Sequence, residues 1–266
     1  MPPTTPTLLC LHCSASNGQQ WKAYPALLPA PLRLLTPDLL GYGSAPAWPT
    51  GASLSLDTEA QRLAPLLDAG GANDGDEGVH LFGHSYGGAV ALQLALRWPQ
   101  RVRSLTLYEP VRFAALRDDR DPAPWRDIRA FGRMVGGLAS IGHHEAAAAC
   151  FIDYWSGQGA WARLPVTRQQ AIAARMAKVG ADFEALFDDA VPLAAYRRLT
   201  MPVRLITGTT SPAPARRVAE RLAQILPDAT LVRLHGLGHM GPLEDPQRVA
   251  ARLAPMLVGE QVDQAA

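Results

Sequence analysis

No uninterrupted apolar run in the sequence approaches the ~18 residues that a bilayer-spanning helix needs, so no transmembrane segment is expected. Charge of one sign is equally missing. With 25 basic and 24 acidic residues the formal net charge is +1, and no long basic run occurs. That excludes the electrostatic footprint of a nucleic-acid-binding protein. Cysteine is scarce. Cys10, Cys13 and Cys150 are odd in number and match no metal-binding spacing. Cys10 lies within an apolar strand pattern and reads as a small core residue. The opening Met-Pro-Pro-Thr-Thr-Pro lacks the charged-then-apolar form of a secretory signal, so a cytoplasmic location is expected. Internal repeats and low-complexity segments are missing too.

What the sequence does have is apolar content, 48% of 266 residues, enough for a large core. That fits one domain with an insertion, or at most two domains. Apolar runs at Thr7–Leu11, Arg33–Thr36, Val79–Phe82, Val102–Leu107, Val203–Thr207 and Thr230–Leu234 read as strands. Helical patterns follow most of them, over residues 21–28, 55–67, 88–98, 216–226 and 245–257. Alternation of this kind implies a mostly parallel sheet with both faces covered. Right-handed crossovers then bring the strand C-terminal ends to one edge. Between residues 111 and 196 the alternation stops. Helices are expected near 124–141, 143–155, 167–179 and 182–187, with many of the aromatics among them. Most of those aromatics read as local core, one or two as the lining of an apolar pocket. Residues 68–78 read as a Gly/Asp loop, and residues 1–6 and 258–266 as mobile ends.

The stretch that carries chemistry is Val79-His80-Leu81-Phe82-Gly83-His84-Ser85-Tyr86-Gly87-Gly88-Ala89-Val90-Ala91. A buried strand turns into a buried helix across Gly-x-Ser-x-Gly. So sharp a turn strains the middle residue, and a Cβ on either flank would collide with a neighbouring element. Ser85 is thereby lifted above the sheet. The Tyr86 backbone N–H lies at the helix N-terminus, where it can meet a developing negative charge. A serine hydroxyl needs a base, and the base needs an acid. Ser85, Glu109, Ser211 and His239 all fall just after strand ends and so share one edge.

These residues resemble the nucleophile elbow of the alpha/beta-hydrolase superfamily. The resemblance extends to Leu234-x-Gly-x-Gly-His239-Met240, which is similar to the superfamily's catalytic histidine loop and implies His239 as base; His235 is the only rival. It also covers Asp38, Gly41, Gly43 and Ser44, similar to a glycine loop in which the aspartate binds backbone N–H groups. After the first strand the superfamily has His-Gly, and the residue beyond donates an N–H to the oxyanion. Here the pair is His12-Cys13, so Ser14 is the implied donor, with Tyr86 as the other. The His12 side chain is expected only to bond loop backbone.

The acid departs from the common pattern. Its usual place, in a Gly-x-x-Asp stretch after the penultimate strand, holds Gly208-Thr209-Thr210-Ser211. No other carboxylate occurs between Leu193 and Arg217. Some haloalkane dehalogenases place the acid after the strand that follows the nucleophile helix, which here is Glu109 in Leu-Tyr-Glu-Pro. A surface or hinge carboxylate is the competing reading of Glu109. The resemblance implies a core over 1–110 and 197–266 with a helical cap over 111–196, and a sheet without the two extra N-terminal strands that many members carry. It implies a serine hydrolase acting on a small or medium apolar ester through an acyl-enzyme, without metal or organic cofactor. A small-molecule substrate is expected, with no nucleic acid and no membrane; oligomeric state is left open. A lactonase, carbon–carbon-bond hydrolase, peptidase or acyltransferase would use the same groups. A non-catalytic ligand-binding protein on this scaffold is a different class of reading, motivated by Ser211.

Overall fold

In the computed structural model, residues 5–48, 53–70 and 78–258 are described. The expected mobile ends and most of the 68–78 loop lie largely outside them. Six parallel strands form one sheet: β1 (Thr7–Leu11), β2 (Arg33–Leu35), β3 (Val79–His84), β4 (Val102–Tyr108), β5 (Val203–Gly208) and β6 (Ala229–Leu234), in the order β2-β1-β3-β4-β5-β6. The order reverses between β1 and β3. Beyond the carboxyl ends of those two strands lies the crevice where open α/β sheets bind ligands.

Successive residues of a strand face opposite sides of the sheet, and the core divides accordingly. Leu9, Leu11, Leu81, Leu105, Leu107 and Leu205 belong to the larger apolar cluster, under α1 (Leu56–Leu63), α2 (Tyr86–Arg97) and the helical insertion. Leu8, Cys10, Phe82, Tyr108 and Ile206 face the other way.

Between β4 and β5 the described residues form no strand. They form α3 (Ala123–Ser140), α4 (His144–Ser156), α5 (Val166–Ala173) and α6 (Met176–Phe187). After β5 come α7 (Ala213–Ile225), the single turn α8 (Gly241–Glu244) and α9 (Pro246–Val258), the last packed against Trp21, Tyr24 and Phe82. No helix among the described residues is long and apolar enough to cross a membrane.

Three local expectations are corrected. In place of a helix over 21–28, a 3₁₀ turn ends at Trp21 (Gly18–Trp21) and a second spans Tyr24–Ala26, because Pro25 interrupts a continuous helix. The break between the last two helices of the insertion falls at residues 174–175, not near Gly180. Gly180 works as a contact residue: a Cβ there would lie 3.3 Å from the Gly136 Cα, so the pair lets α3 and α6 approach closely. In the elbow, β3 runs on to His84 and α2 begins at Tyr86, leaving Ser85 alone as the turn.

Buried Arg112, just past β4, anchors the insertion at both ends. Its Nε donates to Asp189 Oδ2 at 2.5 Å, just past the end of α6, and its Nη2 donates to Gln93 Oε1 on α2 at 2.9 Å.

Gly87, in the first turn of α2, packs directly on β1: a Cβ there would lie 2.3 Å from the Leu11 carbonyl oxygen. Gly87→Ala is expected to cost at least about 1–3 kcal/mol of stability by overpacking against backbone. Gly137→Ala, a helical position with nothing within 4 Å of the added Cβ, is expected to gain up to about 1 kcal/mol. Denaturant midpoints measured side by side check both signs.

Candidate active site

The turn from β3 to α2 gives Ser85 φ 56° and ψ −121°, a backbone region that side-chain-bearing residues seldom occupy and that costs about 1–3 kcal/mol. Its N–H donates to the Tyr108 carbonyl at 3.0 Å, and its own carbonyl accepts from Gly88 at 2.9 Å. The strained residue is thus held by β4 on one side and by its own helix on the other. Glu109 leaves β4 with φ 45°, its N–H donating to the Ile206 carbonyl of β5 at 3.0 Å.

His239 lies between these two residues. Its Nε2 is 2.9 Å from Ser85 Oγ and its Nδ1 is 2.6 Å from Glu109 Oε2. An ionised carboxylate only accepts, so Nδ1 carries the proton and Nε2 presents its lone pair to the Ser85 hydroxyl. The other carboxylate oxygen of Glu109 accepts from Thr207 Oγ1 at 2.7 Å and from the Gly208 N–H at 2.8 Å. Burial pushes the Glu109 pKa up, but the His239 hydrogen bond and charge, with Ser211 and Thr207, outweigh it and leave the pKa below the usual carboxylate value. Ser211, at the acid's usual place, is buried beside this carboxylate, though its hydroxyl makes no hydrogen bond of normal geometry. His235, the rival base, is exposed.

The histidine loop is held by residues whose part the sequence did not reveal. Tyr108 donates its hydroxyl to the Gly238 carbonyl at 2.6 Å. His84 Nε2 donates to the His239 carbonyl at 2.8 Å, and its Nδ1 accepts from Gln20 Nε2 at 3.1 Å. Burial holds the His84 pKa well below its ordinary value, so the ring is neutral and can play both parts. On the side of the insertion, the Trp155 ring lies over His239 at 4.1 Å between centroids. Nothing in the spacing of these residues marks them. Only the meeting of α4 with the sheet edge does so.

Ser14 follows β1 and lines the same two cavities as Ser85. Positive φ at non-glycine residues is confined, among the described residues, to Ala15, Ser85 and Glu109, so Cys13 fills the usual glycine position without strain. Tyr86 is the first residue of α2, where a helix leaves its N–H without an intrahelical acceptor. His12 bonds loop backbone as expected: Nδ1 to the Cys13 carbonyl at 2.8 Å, and Nε2 accepting from the Leu39 N–H at 2.9 Å. Burial lowers its pKa to about 4. Asp38 accepts from the Gly18 and Ser44 N–H groups at 2.7 and 2.6 Å, a loop-building role.

The larger cavity, about 70 Å³, is lined by Ser85 and His239 with Phe151, Trp155, Ile172 and Leu243, and it reaches the exposed Arg168. The smaller, about 20 Å³, lies between Ser85, Val111, Phe113, Phe183 and Asp182. Of the insertion's aromatics, Phe113, Phe151, Trp155 and Phe183 therefore face the site, while Trp125 and Phe187 pack on one another.

The chain belongs to the alpha/beta hydrolase family, whose sequence pattern matches residues 8–252. Among curated proteins it is similar to a pimeloyl-[acyl-carrier protein] methyl ester esterase of Aromatoleum aromaticum, 33% identical over 260 residues that span 96% of this chain and 99% of the relative. Among solved structures it resembles a thermophilic esterase from Thermogutta terrifontis (TM-score 0.75, 22% identity, 96% of this chain and 90% of that one). It also resembles carboxylesterase CesB from Bacillus subtilis (TM-score 0.69, 20% identity, 98% and 86%). At that identity the two structures bear on the fold alone.

The lowered Glu109 pKa has a consequence for stability. Its carboxylate is favoured in the folded state, so its contribution is present above the ordinary carboxylate pKa of about 4.3 and is lost as pH falls through the lower folded value. The stability advantage of the wild type over Glu109→Gln is therefore expected to shrink as pH is taken from 6 toward 3. Paired thermal melts measure it; an advantage that grows on acidification contradicts the assignment.

Proposed function

We propose that the protein is a carboxylic-ester hydrolase in which Ser85 is the nucleophile, His239 the general base and Glu109 the acid that orients and stabilises it. One observation carries the reading: the His239 ring bridges the Ser85 hydroxyl and the buried Glu109 carboxylate at 2.9 and 2.6 Å. Ser85 Oγ attacks the ester carbonyl as its proton passes to Nε2. The Ser14 and Tyr86 N–H groups hold the oxyanion, aided by the N-terminus of α2. The imidazolium then returns the proton to the leaving alcohol, releasing it. Water, deprotonated by the same ring, hydrolyses the acyl-enzyme.

Residues 111–196 act as a cap over the site. The phenylalanine and tryptophan lining of the larger cavity suits a small or medium apolar acyl ester. The full-length likeness to an esterase that acts on a carrier-linked methyl ester supports a substrate of that kind. So does Arg168, which lines both the active-site cavity and an outer groove with Lys22 and Arg175. A non-catalytic receptor would have no use for a histidine already poised between a strained serine and a buried carboxylate.

The wild type is expected to release a burst of p-nitrophenol from short acyl esters and to be labelled by a fluorophosphonate, both lost in Ser85→Ala. Glu109→Gln is expected to lower kcat by about 10⁴-fold, the order seen when a triad acid is neutralised elsewhere. Glu244→Gln, at an exposed carboxylate, serves as control and changes little. Equal, small effects in the two variants would remove Glu109 from the triad. Adding Ser211→Asp to Glu109→Gln is expected to restore part of kcat, because Ser211 lies buried beside the same carboxylate.

A further inference from the structure

The side chains of Ser14 and Tyr86 end at one buried ion pair on α6. Ser14 Oγ donates to Asp182 Oδ2 at 2.7 Å, and the Tyr42 hydroxyl donates to the same oxygen at 2.5 Å. Lys178, one turn earlier on α6, donates its ammonium to Asp182 Oδ1. That ammonium lies 5.0 Å from the Tyr86 ring centroid and 4.5 Å from that of Tyr42, with Glu59 Oε1 at 3.7 Å. Asp182 is 1% exposed and Lys178 5%.

A buried ion pair is a weak source of stability, because desolvation of both charges offsets their attraction and an apolar pair of equal volume packs as well. This one touches four segments far apart in sequence: the loop after β1, the loop carrying Tyr42, α1 through Glu59, and the start of α2. Two of the residues it touches carry the amides assigned above to the oxyanion.

We infer that Asp182 and Lys178 are positioning residues for the oxyanion site, Asp182 by fixing Ser14 through its hydroxyl and Lys178 by seating the Tyr86 ring. The inference rests on the ester-hydrolase reading. It makes the oxyanion site complete only while α6 is docked on the sheet edge, so the insertion contributes to the chemical step as well as to substrate enclosure.

The decisive variant is Ser14→Ala, which keeps the backbone N–H and removes only the tether. Loss of a whole oxyanion donor costs about 10²–10³-fold in kcat, and a loosened one is expected to cost roughly tenfold. KM is expected to stay within about twofold, since the interaction forms in the transition state. The affinity of a boronic acid that forms a tetrahedral adduct on Ser85 should fall in step with kcat. Asp182→Ala is expected to act in the same direction, and the double variant to be little worse than the poorer single one, because both remove one interaction. Asp182→Asn combined with Lys178→Met discards both charges and keeps an acceptor for Ser14 but removes the cation beside the Tyr86 ring, so kcat and boronate affinity are expected to fall together below the wild type; unchanged values strike Lys178 from the inference.

An active wild type with kcat and boronate affinity unchanged in Ser14→Ala overturns the inference alone, and so does a change confined to KM. If Asp182→Ala does not fold, Ser14→Ala decides by itself. A wild type that neither turns over esters nor takes up a fluorophosphonate sinks the hydrolase reading and this inference with it.

Discussion

A carboxylate with no solvent exposure must have its charge met from within the protein, and much of this molecule's arrangement follows from Glu109. Its two oxygens are met by the His239 ring, the Thr207 hydroxyl and the Gly208 amide. The carboxylate and its partners come from three elements. The amide is at the end of β5, the carboxylate at the end of β4, and the imidazole in the loop after β6. These can converge only if the strands are parallel and in this order, because an antiparallel neighbour would carry its C-terminal end to the opposite edge. The same demand explains the backbone strain. Glu109 turns back toward β5 at φ 45°, and Ser85 turns toward the histidine at φ 56°. Both strained residues have their N–H groups bonded to neighbouring strands, so the sheet carries the cost of holding them.

The second dependency runs through the helical insertion. Arg112 and Asp189 tie its two ends together beside α2, while Trp155 on α4 covers the histidine and α6 brings Asp182 to Ser14. The insertion is therefore wired to the sheet edge by charge as well as by apolar contact. Buried charges of this sort tolerate few alternative arrangements, since a displaced Arg112 or Lys178 would be left without its counter-charge.

The two acid positions differ in reach. A carboxylate at residue 211 would approach the histidine from the β5 loop. Glu109 approaches from β4 with one more methylene than an aspartate. Under the proposed assignment of Glu109, Ser211 does not have to carry charge; it is a small buried hydroxyl beside that carboxylate.

The strand runs, the strand–turn–helix at Ser85 and the break in alternation after β4 were legible in the amino-acid sequence because they depend on local patterns. Apolar periodicity, glycines that admit close backbone approach and chain-order rules for parallel sheets are properties of short stretches. The proposal of Glu109 came from the lack of any carboxylate between Leu193 and Arg217, where the acid usually lies, and from relatives that carry it after the strand following the nucleophile helix. The parts of Thr207, His84, Gln20, Trp155 and the Lys178–Asp182 pair were decided only by the tertiary structure. So was the helix break at residues 174–175 rather than near Gly180, which instead lets α3 and α6 approach closely. A hydrogen-bond partner contributed from the far side of a sheet leaves no periodic mark near its own position, because the geometry that selects it exists only once the strands have docked.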